Sequence, residues 1–134
     1  MRNILLFFCS LITVSYLYAL YQRRRKDIPV FVKKTLSGNW NARTIPPFGI
    51  FLSEKEKDNQ LLIEHEKIHW RQYQNMGLLK YYLQYNREIK KYGYDKMPME
   101  KEARRDENEY AQENYTEAVR LGLSDTVFNP NFRK

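Results

Sequence analysis

The stretch His65-Glu66-Lys67-Ile68-His69 constrains this chain more than any other. It fits H-E-x-x-H and uses both histidines that the 134 residues contain. The pattern has chemical meaning only on a helix. Residues four apart share a helical face with Cβ atoms roughly 5–6 Å apart, so two imidazoles can reach one zinc ion at Zn–N distances of about 2.0–2.1 Å. Glu66 is then placed to take a proton from a water at that ion. The flanking residues predict such a helix over Lys57–Met76. Lys57-Asp58-Asn59-Gln60 form a polar start, and Leu61, Leu62, His65, Ile68, His69, Gln72, Tyr73 and Met76 recur at helical spacing. Gly77 follows as a C-terminal stop. Zinc-assisted hydrolysis is the chemistry that this element implies.

A catalytic zinc site needs three protein ligands and an open position. There is no third histidine, and the lone Cys9 lies in an apolar run, so the third ligand is expected to be a carboxylate. His69-Trp70-Arg71-Gln72-Tyr73-Gln74-Asn75 lacks the glycine and third histidine of the metzincin pattern, which excludes that class. Further on, Met97-Pro98-Met99-Glu100-Lys101-Glu102-Ala103 places a proline at the first turn of a new helix. This stretch resembles the E-x-x-A element of gluzincin-type metallopeptidases. The resemblance implies that Glu100 is the third metal ligand and that Ala103 is the small residue that lets two helices approach. Glu-Lys-Glu offers two registers, so Glu102 stands as the alternative ligand. The family often has an aspartate after the alanine; here Arg104 stands there, and Asp106 is the candidate to replace that outer carboxylate. The plainer reading of Glu100 and Glu102 is an acidic first turn favoured by the helix dipole.

From about Arg43 to Tyr110 the chain is similar to small, uncharacterised metallopeptidase-like proteins of bacteria and their phages. That likeness implies a minimal zincin-like, zinc-binding fold and no particular substrate. Catalysis of this type also needs a donor for the developing oxyanion. Tyr73, Tyr110, Tyr115 and Arg71 are unranked candidates.

Asn3 to Tyr21 is almost continuously apolar and aromatic. About 19 such residues suffice to cross a bilayer core as a helix, which predicts an N-terminal transmembrane helix. Arg23, Arg24, Arg25 and Lys26 follow it directly. By the positive-inside rule they predict a single-pass protein with its catalytic body in the cytoplasm, in contact with anionic lipid. The alternative is a cleaved signal peptide and export, although a basic cluster after the apolar run suits an anchor better. A single cysteine excludes an intramolecular disulfide.

The remaining chain reads as one small domain. Ile28–Val32 is a short strand candidate, and Pro46-Pro47 confine Arg43–Leu52 to a sheet edge. Leu78–Tyr92 is expected to be helical with Leu79, Tyr82, Leu83 and Ile89 inward, and Met99–Leu121 to be a third helix ended by Gly122. The expected fold is therefore α+β: a mainly helical, minimal zincin-like domain with an edge strand or short hairpin, preceded by the transmembrane helix. Its parts are an anchor (1–22), a basic juxtamembrane segment with a short strand (23–42), the metallopeptidase domain (43–123) and a tail (124–134).

The net charge of +7 invites a nucleic-acid partner. Much of it lies beside the apolar run, and elsewhere acids and bases are mixed, so none is expected. The expected function is cleavage of a peptide or protein substrate by a zinc-activated water, with Glu66 as general base. The alternative is a non-catalytic anchored helical domain that binds a protein partner, with structural zinc or none.

Overall fold

A computed structural model describes residues 2–120. The chain runs α1 (Arg2–Arg24), β1 (Val30–Lys33), β2 (Ala42–Ile45), β3 (Gly49–Ser53), α2 (Gln60–Met76), α3 (Leu78–Tyr92) and α4 (Pro98–Arg120), with short 3-10 turns at Ser37–Asn39, Glu54–Glu56 and Tyr94–Lys96. The architecture is α+β. The predicted tail and the expected end of the last helix at Leu121 lie outside the described residues.

The sheet has the order β1-β3-β2, with β1 parallel and β2 antiparallel to the central β3. Only half of the proline-marked stretch is therefore an edge. Pro46-Pro47 form the turn of a hairpin whose first strand is outermost and whose second is the most buried of the three. Gly49 opens β3 because nothing larger fits. A Cβ there would lie 2.4 Å from the Pro29 carbonyl oxygen, which accepts the Ile50 N–H at 2.8 Å. Ala42, Ile50 and Leu52 turn one sheet face onto α2, against Leu62 and Ile63.

Helix α2 is the centre of the molecule. Asn59 caps its start by accepting the Leu62 N–H at 3.2 Å, which is why the helix begins later than the polar run at Lys57 predicts. Gly77 ends it as expected, its N–H bonding the Tyr73 carbonyl. On the side away from the sheet, Trp70 and Tyr73 bury themselves with Tyr81, Met97 and Met99. Here α3 departs from expectation. Leu79 and Leu83 are 75% and 58% exposed, and the inward face is Tyr81 and Glu88, flanked by Leu78, Tyr85 and Ile89. The buried Glu88 explains that choice of face. Its Oε2 accepts the Met99 N–H at 2.9 Å and so satisfies a free donor in the first turn of α4.

The expected transmembrane helix, and the single-pass location that rested on it, are corrected by the structure. Among the described residues no helix is long and apolar enough to cross a membrane. The end of α1 belongs to the folded domain. Tyr73 Oη donates to the Ala19 carbonyl at 2.6 Å. Arg23 donates to the Gln74 and Asn75 carbonyls at 2.6 and 3.0 Å, serving as a cationic cap on the C-terminus of α2. That leaves residues 2–18, about 25 Å of helix, against a hydrocarbon core of about 30 Å. Arg23 is thus a structural cap.

Glu88→Ala should lower the unfolding free energy by about 2 kcal/mol, because the Met99 N–H loses a charged acceptor. Urea denaturation compares the two proteins, and a change within 0.5 kcal/mol (~0.5, the usual scatter of a neutral surface substitution) would contradict this role.

Candidate metal centre

Helix α2 presents His65 and His69 one turn apart, and α4 crosses it so that Glu100 faces both rings. His65 Nε2 lies 3.2 Å from His69 Nε2. Glu100 Oε2 is 3.4 Å from His65 Nε2, and its Oε1 is 3.1 Å from His69 Nε2. Ligands on a tetrahedral ion at 2.0–2.1 Å stand about 3.3 Å from one another. The triangle of donor atoms already has that size. All three residues are buried, and they lie close enough to hold a metal ion.

Hydrogen bonds behind the rings fix their orientation. His65 Nδ1 lies 3.1 Å from Glu107 Oε2, a carboxylate, so the ring nitrogen is the donor. His69 Nδ1 lies 2.9 Å from Gln72 Oε1. Gln72 uses its Nε2 to donate to the Met99 carbonyl at 3.0 Å and to Glu102 Oε2 at 2.7 Å, so its oxygen accepts from His69. Both rings thus carry hydrogen at Nδ1, and both Nε2 atoms point at Glu100 with the lone pair that a metal takes.

Two lone pairs and a buried carboxylate facing one another call for a cation. Glu100 Oε2 has no hydrogen-bond partner, an unusual state for a buried carboxylate oxygen. Without a metal, the same demand draws a proton. Burial pulls the His65 pKa down, but its contacts with the Glu100 and Glu107 carboxylates outweigh it and hold the value at about 9. Burial pushes Glu100 up, yet its contacts with His65 and His69 hold it well below the usual carboxylate range.

The structure therefore brings Glu100, not Glu102, to the histidines. Glu102 is exposed and occupied with Gln72. Ala103 is fully buried where α4 meets α2. Asp106 engages Arg105, and the outer carboxylate is Glu107. The sequence carried the signal for it, since Glu107 stands two turns after Glu100 on the same helical face. Arg104 reaches the Asp95 carbonyl at 2.8 Å and comes within 3.9 Å of Glu100 Oε2.

Glu66 points from α2 into the same space without joining the triangle of donor atoms. Thr44 on β2 anchors it: the hydroxyl lies 2.6 Å from Glu66 Oε2 and 2.8 Å from the Glu66 carbonyl oxygen. A cavity of about 290 Å³ opens on Glu66, His69 and Glu100, walled by Ile45, Tyr81, Tyr82 and Tyr85. A second, of about 420 Å³, opens on His65, Glu66 and Glu100 beside Leu62 and Arg104.

Of the candidate oxyanion donors named from sequence, Tyr73, Tyr110 and Arg71 line neither cavity. Tyr73 is committed to Ala19, its hydroxyl pushed up to about 12 chiefly by burial. Arg71 is exposed, Tyr110 lines neither cavity, and the Tyr115 side chain lies outside what the structure describes. Tyr85 and Tyr94 line the site instead. Burial, then the charge of Glu100 and a hydrogen bond to it, pushes the Tyr94 hydroxyl well above an ordinary phenol, so it stays protonated and donates to Glu100. Their helix and turn positions gave no sequence signal of this.

No known protein family, curated protein or solved structure matches the chain.

Metal titration of the full chain should give one high-affinity site that is lost in His65→Ala, His69→Ala and Glu100→Ala and kept in Glu102→Ala. Glu107→Gln should weaken it about 10–100-fold, the usual cost of losing an orienting partner. Loss in Glu102→Ala with retention in Glu100→Ala would reverse the assignment.

Proposed function

We propose that the chain is a zinc-dependent hydrolase of peptide bonds, in which His65, His69 and Glu100 hold the ion and Glu66 is the general base. The observation that carries this reading is the position of Glu66. A purely structural site has no use for a further buried acid that lies beside the donor atoms, faces a cavity and is held in place by a separate strand. Two imidazoles with one carboxylate are a donor set that suits zinc, and three protein ligands leave a position open.

When bound, zinc supplies Lewis acidity for a scissile carbonyl and lowers the pKa of water towards ~7. The chain's own groups do the rest. Glu66 removes a proton from the attacking water and returns it to the departing amine, and the Thr44 hydroxyl holds its carboxylate in place throughout. Tyr85 is the phenol donor available to the charge that develops on the carbonyl oxygen, Tyr94 being engaged with Glu100. The tyrosine-walled cavity accommodates an apolar or aromatic substrate side chain beside the reacting bond. The resemblance to gluzincins points the same way, and a peptide is the substrate class that it implies.

The exposed apolar residues of α1, among them Phe7, Phe8, Leu11 and Ile12, favour a second reading as a non-catalytic domain that binds a protein partner, with structural zinc or none. Glu66→Gln separates the two. In the zinc-loaded full chain, assayed against a library of unstructured peptides, it should lower cleavage about 10²–10⁴-fold, the usual contribution of a general base, with zinc retained. Cleavage unchanged by Glu66→Gln would remove the assigned base.

A further inference from the structure

Arg104 stands one turn after Glu100 on α4, on the same helical face. Its Nη2 lies 3.9 Å from Glu100 Oε2, and the residue lines the cavity of about 420 Å³ that opens on His65, Glu66 and Glu100. Among the described residues it is the one lysine or arginine lining that cavity. A guanidinium carries five N–H donors. Asp95 takes two of them, through its carbonyl at 2.8 Å and its carboxylate at 3.3 Å. The Asp95 side chain is 87% exposed, so the carboxylate contact is a weak surface pair. The acids that share the cavity are turned to other partners. Glu66 is held by Thr44, and Glu100 faces the two imidazoles.

We infer that Arg104 determines specificity by binding a substrate carboxylate one residue beyond the reacting bond. This rests on the reading of the site as a peptide hydrolase. Reach sets the register. A guanidinium 3.9 Å from a ligand oxygen is about one Cα–Cα step, ~3.8 Å, from the reacting centre. The carboxylate that meets it therefore belongs to the residue next to the bond, as the C-terminus of the chain or as an acidic side chain. Arginine suits either, because its planar fork pairs with both oxygens of a carboxylate. The tyrosine-walled cavity shares Glu66 and Glu100 with this one and takes the residue on the other side of the bond. Arg43 lines only that second cavity, with its guanidinium over the Trp40 ring, 5.4 Å from the centroid, and so does not duplicate Arg104.

The test reads binding, so it needs no turnover. Three probes are titrated by calorimetry into the zinc-loaded full chain carrying Glu66→Gln: N-acetyl-Tyr-Ala as the free acid, its C-terminal amide, and N-acetyl-Tyr-Asp amide. The free acid should bind about tenfold more tightly than its amide, the usual weight of a charge-assisted hydrogen bond. Adding Arg104→Gln should abolish that difference. Arg104→Lys keeps the charge without the paired geometry; it should retain part of the difference and is the second variant if Arg104→Gln does not fold. Tighter binding of the aspartate amide alone, lost in the same variants, would uphold the role of Arg104 with a side chain as the source of the carboxylate. Equal binding of all three probes, binding of none, or a preference that survives Arg104→Gln would overturn the inference. A wild type that takes up no zinc defeats the hydrolase reading itself, an outcome distinct from a zinc-loaded chain indifferent to carboxylates.

Discussion

Everything in this structure turns on the place where α4 crosses α2 and three electron-rich groups are buried against one another. Two imidazole nitrogens and a carboxylate at 3.1–3.4 Å repel unless positive charge lies among them. A proton on His65 can supply it, and so can a metal ion. Of the two, the metal satisfies all three donors together, the orphaned Glu100 oxygen included. A small domain with two modest core clusters would also gain stability from such a ligand, because binding to the folded state alone adds to the unfolding free energy.

The supporting hydrogen bonds tie this centre to the fold. Gln72 accepts from His69 and donates to the backbone and side chain of α4, so the orientation of the His69 ring and the packing of the two helices are a single arrangement. Glu107 does the same for His65 from two turns along α4. Glu88 fixes the start of α4 from α3, and Thr44 joins β2 to the acid beside the centre. Helices α3 and α4 and strand β2 thus each contribute polar contacts to the site or to its frame.

Much of this was legible in the sequence because it rests on local periodicity. The motif His65–His69 lies on the predicted helix, α3 has the predicted bounds, and Pro98 opens α4 as its rigid φ requires. What failed depends on tertiary contact. The inward face of α3 is set by Glu88 reaching the α4 backbone, so an acid is buried and Leu79 and Leu83 are left outside. The reading of α1 as an anchor took Arg23 for a flanking charge, whereas Arg23 caps another helix about fifty residues away in sequence. The parallel pairing of β1 with β3 joins strands whose sequences carry no mark of their partner. The choice between Glu100 and Glu102 needed the angle at which α4 meets α2, which spacing alone does not contain.

The most direct test of the account is X-ray absorption at the metal edge of the zinc-loaded full chain. The account predicts a tetrahedral first shell of nitrogen and oxygen at about 2.0–2.1 Å, with outer-shell scattering from two imidazoles. A six-coordinate oxygen shell, or a shell without imidazole scattering, would place the ion elsewhere and contradict the centre built on His65, His69 and Glu100.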